Sequence, residues 1–560
     1  MAFQLSRQRV SIPELDEEIT KILSNSMLSP FFLQLAKDLE VVDPKKPEDI
    51  YKTHLENRKG SSQIDSAKQN LASTFVNAFV NAGSGNDTLM LGKVDDQPWI
   101  NKVKNEGLTA AAASLGLVFL WDPSGASNHI NDYLELTDGY SKMGACMALG
   151  LCNAGIIDEC DPAKAVLEEK INGKEDFSRL GSIIGLGIAY SGSAREEFLE
   201  TLIPIIIDTN YSVESSAFAA LSLGLIFVGK CNEDVGNAIY QTLIERPENQ
   251  LNMTVTRFFG VALGLLFLGK QEKCEAILEA TRTITHPIGK YIEVCIEGCA
   301  YVGTGNVLKV QQMFHHCVVV EEKKTEEEAQ NEPPASNLPG PGQNVPAGLN
   351  PQVQASKPAQ DQTTLKDYQQ VAVLAIGLIA SSEEIGNEMA LRGLNHVLQY
   401  CDVNVKRAVP LALALLNISN PKIGIMDLLT KLSHDQDEEL SYRAILALGF
   451  IGAGTNNARL AGILRQLAGY YGGESNFANH LYCVRIAQGL LHMGKGLITI
   501  QPYYQDKFLL NTVSMAGIII VMHCCLDMSN ILLGKYAYLL YYLGLSMYPR
   551  MLFTVICYFL

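Results

Sequence analysis

The chain has 560 residues, of which 47% are hydrophobic, so it has ample material for a large buried core. Its formal net charge of −16 argues against nucleic-acid binding, which needs clustered Lys and Arg, and favours basic protein partners. The first ten residues contain no continuous apolar stretch, so no signal peptide is expected there.

Residues 1–105 are predicted to form an N-terminal helical region that is only part of a larger one. Turn-forming residues interrupt it at positions 43–47 and 83–87, where Pro, Gly, Asp and Asn cluster. This region lacks the repeated phrase that begins after it, so we treat it as a separate unit.

A short phrase with two glycines five residues apart recurs about every 35 to 40 residues. Its copies are Gly150 and Gly155, Gly187 and Gly192, Gly224 and Gly229, Gly264 and Gly269, Gly298 and Gly303, Gly449 and Gly454, and Gly489 and Gly494. Gly116, Gly377 and Ala414 keep only the first small position. A fixed period of this length predicts stacked helical hairpins, and such surfaces usually hold partners.

Each glycine of the phrase has a predicted role. The first lies within an apolar helix, where it costs roughly 1 kcal/mol relative to alanine. We therefore expect close backbone approach between packed helices at that position. The second is expected at the left-handed position that ends the helix. More polar, amphipathic stretches lie between the phrases, so each repeat is predicted to pair an enclosed helix with an outer one.

The repeats are predicted over residues 106–319 and again over residues 367–545. Between them, residues 320–366 are rich in Glu, Pro, Gly and Gln, and cannot bury enough apolar surface to fold. We expect a disordered insertion there. Residues 546–560 form an apolar tail, and a C-terminal domain is expected to be missing after it.

Two stretches near the end, residues 508–534 and 536–560, are apolar enough to suggest membrane spans. His523 and Asp527 interrupt the first, and Pro549 and Arg550 interrupt the second. Both follow directly from the repeats. We therefore expect buried helices that close the array, and no membrane contact.

The thirteen cysteines are scattered, without a Cys-x-x-Cys pair or the spacing of a zinc site. This pattern predicts reduced, buried cysteines in an intracellular protein. His315, His316 and Cys317 are adjacent, but no second cluster with ligand spacing accompanies them. No metal site is expected.

Three copies of the phrase match the frame of a phosphate-binding loop, Gly-x4-Gly-Lys, and end in Lys230, Lys270 and Lys495. Such a loop needs Ser or Thr next, whereas Cys231, Gln271 and Gly496 follow here. The intervening residues are bulky and apolar. The match is a by-product of the repeat, so neither a nucleotide cofactor nor a catalytic residue is expected.

Several unusual strings occur together in a fixed order, at residues 47–57, 305–312, 407–415, 452–461, 464–468 and 487–495. They resemble the proteasome/cyclosome-repeat scaffold subunits of the base of the proteasome regulatory particle, and the resemblance covers nearly the whole chain. It implies an all-α fold, an α-solenoid of helical hairpins that closes into a toroid beside an N-terminal helical region. Relative to that family, the chain is expected to be truncated at both ends.

The resemblance also implies a non-catalytic scaffold in the cytoplasm and nucleus. Its implied partners are the proteasomal ATPase ring, other regulatory particle subunits, ubiquitin, ubiquitin-like domains of shuttle receptors, and a deubiquitinase. Two alternatives stay open at this point. One is another α-solenoid adaptor, of the cyclosome or transport-receptor type, and the other is an enzyme that hydrolyses a nucleotide.

The resemblance places a receptor surface on the outer helix that begins near residue 232. Asp234, Gln241 and Glu245 match the family's positions, and at about 100° per residue they fall within roughly 40° of one another. The family pattern is acidic at all three positions, so Gln241 is expected to weaken the surface and Glu233 to compensate. Asn210, in the preceding loop, also replaces an acidic residue of a relative.

The resemblance further implies a deubiquitinase platform near residues 121–128, shortly after Trp121. The acidic residue expected two or three positions after the tryptophan is Ser124 here. We therefore assign no binding residue to this platform from the sequence.

Overall fold

The computed structural model describes residues 6, 16–55, 66–91, 99–158, 161–173, 175–318, 367–473, 475–504, 507 and 509–552. The predicted insertion at residues 320–366 lies outside the described residues, as does most of the predicted tail. Over the described part the fold is all-α, as expected, with one small pair of strands. The predicted boundaries between units stay predictions.

Up to residue 318 the helices are α1 (Glu17–Leu23), α2 (Leu28–Asp38), α3 (Pro47–Tyr51), α4 (Ser66–Val80), α5 (Glu106–Val118), α6 (Pro123–Leu134), α7 (Gly139–Cys152), α8 (Pro162–Ile171), α9 (Asp176–Ala189), α10 (Glu197–Ile207), α11 (Val213–Ile226), α12 (Glu233–Glu245), α13 (Glu248–Leu251), α14 (Arg257–Leu266), α15 (Glu275–Arg282), α16 (Ile288–Ala300) and α17 (Val307–Cys317).

From residue 367 they are α18 (Asp367–Ile379), α19 (Glu384–Tyr400), α20 (Val403–Lys406), α21 (Val409–Leu416), α22 (Ile423–Leu432), α23 (Glu438–Ile451), α24 (Ala458–Tyr471), α25 (Ala478–Leu491) and α26 (Thr512–Cys525). The 3-10 segments are Thr53–Leu55, Trp99–Lys102, Thr254–Thr256, Gln271–Cys274, Ser475–Phe477, Met493–Gly496 and Ala537–Ser546, and Met528–Lys535 is a π-helical segment. Strands β1 (Ile498–Ile500) and β2 (Met547–Pro549) pair antiparallel, with Thr499 opposite Tyr548.

Enclosed and outer helices alternate through the repeats, as the sequence predicts. Each enclosed helix packs against the next, in the order α4, α5, α7, α9, α11, α14, α16, α18, α21, α23, α25. The outer helices, each with one buried face and one exposed face, are α6, α8, α10, α12, α15, α17, α19, α22 and α24. This arrangement confirms a solenoid of helical hairpins.

The first glycine of the phrase lies where two enclosed helices touch. A Cβ atom added to Gly150 in α7 would stand 2.4 Å from the carbonyl oxygen of Gly185 in α9. At Gly449 in α23 the same atom would stand 2.8 Å from the Cα of Ala487 in α25. Both distances are too short for a side chain, so the predicted close approach of helix backbones is confirmed.

In the repeats that contain the full phrase, the second glycine follows the enclosed helix in the left-handed conformation, as predicted. Gly454 has a φ of +66°, and its N–H donates to the carbonyl of Leu490 in the next enclosed helix at 2.9 Å. Positive φ values also occur at Gly155, Gly192, Gly229, Gly269, Gly303 and Gly494. Equivalent bonds to the next helix are made by Gly192, Gly229, Gly269 and Gly303. These turns therefore join neighbouring repeats through the backbone as well as ending helices.

The array closes on itself because α25 packs against α4. A Cβ added to Gly489 would stand 3.1 Å from the Cα of Val76, so the last repeat approaches α4 as closely as one repeat approaches another. The guanidinium of Arg485 lies 4.1 Å from the ring centre of Tyr51 in α3. The enclosed helices thus form a closed ring, in agreement with the expected toroid.

The described parts of the two apolar stretches near the end lie inside this ring and do not close it. Helix α26 is buried from Val513 to Cys525, and it packs along the 3-10 segment Ala537–Ser546. The hydroxyl of Tyr541 donates to the carbonyl of Ala110 in α5 at 2.8 Å. We call α26 and this segment the axial pair. The sequence predicted their burial correctly, but the closure comes from α4.

Within the described residues, no single helix is both long and apolar enough to cross a membrane. Thr512–Cys525 and Met528–Lys535 pass that test only together, as a pair bent by 105°.

Candidate functional site

The candidate receptor surface is the outer helix α12. The helix begins after Asn232, whose side-chain oxygen accepts the N–H of Val235 at 3.1 Å and so caps it. Glu233 and Asp234 follow in the first turn, where negative charge is stabilised by the helix dipole. The helix ends before Arg246, whose backbone is extended and which is followed by Pro247.

One face of α12 is apolar and packs against its neighbours. Val235, Ile239 and Leu243 are fully or almost fully buried. The hydroxyl of Thr242 donates to the carbonyl of Ile206 in α10 at 3.1 Å. The hydroxyl of Tyr240 lies 2.8 Å from that of Thr283, just after α15. The position of the helix is therefore fixed from both sides, and its remaining face is available.

The structure places four of the five predicted residues on this available face. Glu233, Asp234, Gln241 and Glu245 are all exposed on α12. The amide of Gln241 donates to the carboxylate of Glu245 at 2.8 Å, so these two are brought together one turn apart. We call these four residues the α12 face.

Asn210 lies apart from that face. It is exposed in the loop between α10 and α11, and its backbone N–H and side-chain amide both donate to Asp208, at 2.9 and 2.8 Å. Its amide therefore orients the carboxylate of Asp208. Any electrostatic contribution from this loop comes from Asp208, which the sequence comparison did not single out.

The surroundings of the α12 face are acidic. Glu197 and Glu200 are exposed on α10, and Glu275 and Glu279 are exposed on α15. In the part of the chain that the structure describes, the carboxylates of the α12 face form no ion pair with Lys or Arg. The exposed carboxylates of the α12 face can therefore attract a basic partner.

One exposed apolar residue on α12 was missed at the sequence level. Ile244 is 57% exposed and directly precedes Glu245. The only sign of its exposure in the sequence was that Ile244 does not share a helix face with Ile239 and Leu243. A single exposed isoleucine is common on protein surfaces, but this one lies among carboxylates.

The deubiquitinase platform implied near Trp121 differs in structure from the α12 face. The indole is buried, and its ring meets that of Phe32 edge-on, with centroids 5.6 Å apart. Asp122 caps α6 by accepting the N–H of Gly125 at 3.0 Å, and Ser124 is exposed beside it. Trp121 therefore belongs to the core, and only the start of α6 could touch a partner.

The apparent phosphate-binding frames are parts of helices. Gly224 lies within α11, and a Cβ added to it would stand 2.9 Å from the carbonyl oxygen of Ala262. No phosphate could enter that contact. In the described residues, no three His, Cys, Asp or Glu side chains are grouped closely enough to hold a metal ion.

The chain is similar to known proteasome subunits. Residues 1–56 match the family model of the RPN1 N-terminal domain. Over 99% of its length, the chain is 40% identical to the 26S proteasome regulatory subunit rpn-1 of Neurospora crassa. It is 42% identical to the 26S proteasome non-ATPase regulatory subunit 2 of Dictyostelium discoideum, and 44% identical to homolog B of that subunit in Arabidopsis thaliana, again over 99% of the chain. The chain spans 58%, 57% and 58% of these relatives, respectively.

Proposed function

The chain is homologous over 99% of its length to the Rpn1 or non-ATPase regulatory subunit 2 proteins of the 26S proteasome, and on this premise we propose that it is a regulatory subunit of the proteasome. It acts as a non-catalytic scaffold in the base of the regulatory particle, in cytoplasm and nucleus. Its partners there are the ATPase ring and other regulatory subunits.

The second part of the proposal is that the α12 face docks ubiquitin and ubiquitin-like domains of shuttle receptors. The observation that carries it is an exposed row of side chains, Asp234, Gln241 and Glu245, on a helix held from both sides. Ubiquitin-like folds present basic residues around a small apolar patch. Carboxylates around Ile244 complement both features.

The expected interaction is electrostatically steered. Exposed charges of opposite sign raise the association rate and set orientation more than they add affinity. Gln241 carries no charge, but its bond to Glu245 holds that carboxylate in one position. The apolar contact with Ile244 then slows dissociation.

Charge reversal tests this docking proposal directly. The double variant Asp234→Lys with Glu245→Lys is titrated against a ubiquitin-like domain by fluorescence anisotropy. We expect affinity to fall roughly tenfold or more, mainly through a slower association rate, with an unchanged melting temperature. The matched control is Glu384→Lys with Glu388→Lys, two exposed carboxylates on the outer helix α19. Equal titrations for both double variants would refute the assignment to α12.

The scaffold proposal is tested in cells. The tagged chain is isolated gently and its partners are identified by mass spectrometry. We expect proteasomal ATPases and peptidase subunits, accompanied by shuttle receptors and a deubiquitinase. Recovery of receptors without ATPases would support docking but contradict assembly. Recovery of neither receptors nor ATPases would refute the proposed function.

A further inference from the structure

A cavity of about 340 Å³ lies at the seam where the ring closes. Its walls come from α3, from α4, from the 3-10 segment Trp99–Lys102 and from α25. These elements lie on both sides of the contact between the first and last helices of the ring. The volume is in the range of small-molecule sites in proteins.

The charged residues that line the cavity are mostly cations, in a chain whose net charge is −16. Lys68, Lys102 and Arg485 line it, together with the single carboxylate of Glu48. Lys68 donates to the neutral amide oxygen of Asn479, and the ammonium of Lys102 lies 5.4 Å from the ring centre of Trp99. Among described residues, no carboxylate forms an ion pair with either lysine. An anion in the cavity would pair with both ammonium groups.

The remaining walls are partly aromatic. The rings of Tyr51 and Trp99 line the cavity beside Ala72 and Leu481. Flat apolar walls next to cations favour a ligand with both a planar apolar body and a strongly charged end. A phosphate monoester has about two negative charges and several strong acceptor oxygens, which suits two lysines and Arg485.

We propose that the seam cavity binds a small phosphate monoester with a planar apolar body. The phosphate lies among Lys68, Lys102 and Arg485, and the apolar body lies against Tyr51 and Trp99. Because the ligand contacts both sides of the seam, its binding stabilises the closed ring. This site is separate from the α12 face and does not depend on the proposed docking function.

The probe is phenyl phosphate, titrated into the full chain by calorimetry and by thermal unfolding. We expect saturable one-to-one binding, and a melting temperature that rises with the logarithm of ligand concentration. Inorganic phosphate and phenol should each bind at least roughly tenfold more weakly, because each fills only one part of the cavity. Binding should also weaken at high salt.

Two variants locate the site, and a third is the control. Lys68→Gln and Lys102→Gln should each weaken phenyl phosphate binding roughly tenfold, whereas Lys431→Gln, an exposed lysine of α22, should leave it unchanged. Absence of saturable binding to the folded wild-type chain, or equal affinity in all three variants, would overturn the proposal.

Discussion

Arg443 on the ring helix α23 donates a hydrogen bond of 2.6 Å to the carbonyl of Leu526, at the end of the axial helix α26. The same guanidinium donates to the side chain of Gln370 on α18 at 3.0 Å. On another side, Arg257 of α14 forms an ion pair with Asp527 at 3.3 Å. Two ring helices, α23 and α14, therefore hold one end of the axial pair through polar contacts, and α18 supports one of them through Gln370.

Replacement of Arg443 should release that end. In Arg443→Met the apolar stem is kept, but the carbonyl of Leu526 and the side chain of Gln370 lose their buried donor. We expect the free energy of unfolding to fall by about 3 kcal/mol, measured by urea denaturation. The control is Arg459→Met, whose exposed ion pair with Asp427 should contribute less than about 1 kcal/mol. Equal losses in both variants would mean that apolar packing alone holds the axial pair.

Close helix contact should make replacement of the first glycine of the phrase destabilising. Gly150→Ala gains helix propensity, but its methyl group would meet the carbonyl oxygen of Gly185. We expect a net loss of about 1–3 kcal/mol in stability, from thermal or urea unfolding.

Gly462→Ala is the matched control, because this helical glycine of α24 has no atom within 4 Å of the added Cβ. It should gain up to about 1 kcal/mol from helix propensity. A gain at both positions would show that the helices can move apart at no cost.

Much of the ring could be predicted from the sequence, because its contacts are local and repeated. Each phrase contains both a close-contact glycine, such as Gly449, and a left-handed one, such as Gly454, and the structure confirms both roles. The exposed row on α12 could also be predicted, since a helical period fixes which residues share a face. Its use for docking stays a proposal.

The rest depends on contacts between distant parts of the chain. Periodicity relates neighbouring repeats only, so it could not show that α26 lies inside the ring or that α4 meets α25. Because α26 has apolar residues on every side, its sequence predicted that the helix is buried. The sequence did not predict where in the fold the helix lies. The seam cavity combines Lys68 with Arg485, which are brought together only by ring closure. Ile244 was missed because a lone exposed isoleucine breaks no pattern.

The cysteines should differ sharply in reactivity. Burial raises the pKa of Cys152 to about 12 and that of Cys274 to about 11, so neither supplies thiolate near neutral pH. Of the described cysteines, only Cys231 and Cys401 are partly exposed, and all are free. Among the described cysteines, a thiol reagent at pH 8 should therefore modify these two first in the folded protein, as identified by peptide mass mapping. Fast modification of buried Cys524 would contradict the packing of the axial pair.

Buried histidines should make the fold sensitive to acid. Burial lowers the pKa of His523 to about 3, whereas an unfolded histidine has a pKa near 6.5. The unfolded state therefore binds a proton first, and stability falls as the pH drops from about 6.5 towards 3. At pH 5 this one residue should cost about 2 kcal/mol relative to pH 7. His523→Gln should reduce the loss of stability between pH 7 and pH 5 by that amount, in urea denaturation at both pH values. The exposed His396→Gln should not change it. An unchanged pH dependence in His523→Gln would mean that His523 takes up a proton inside the ring.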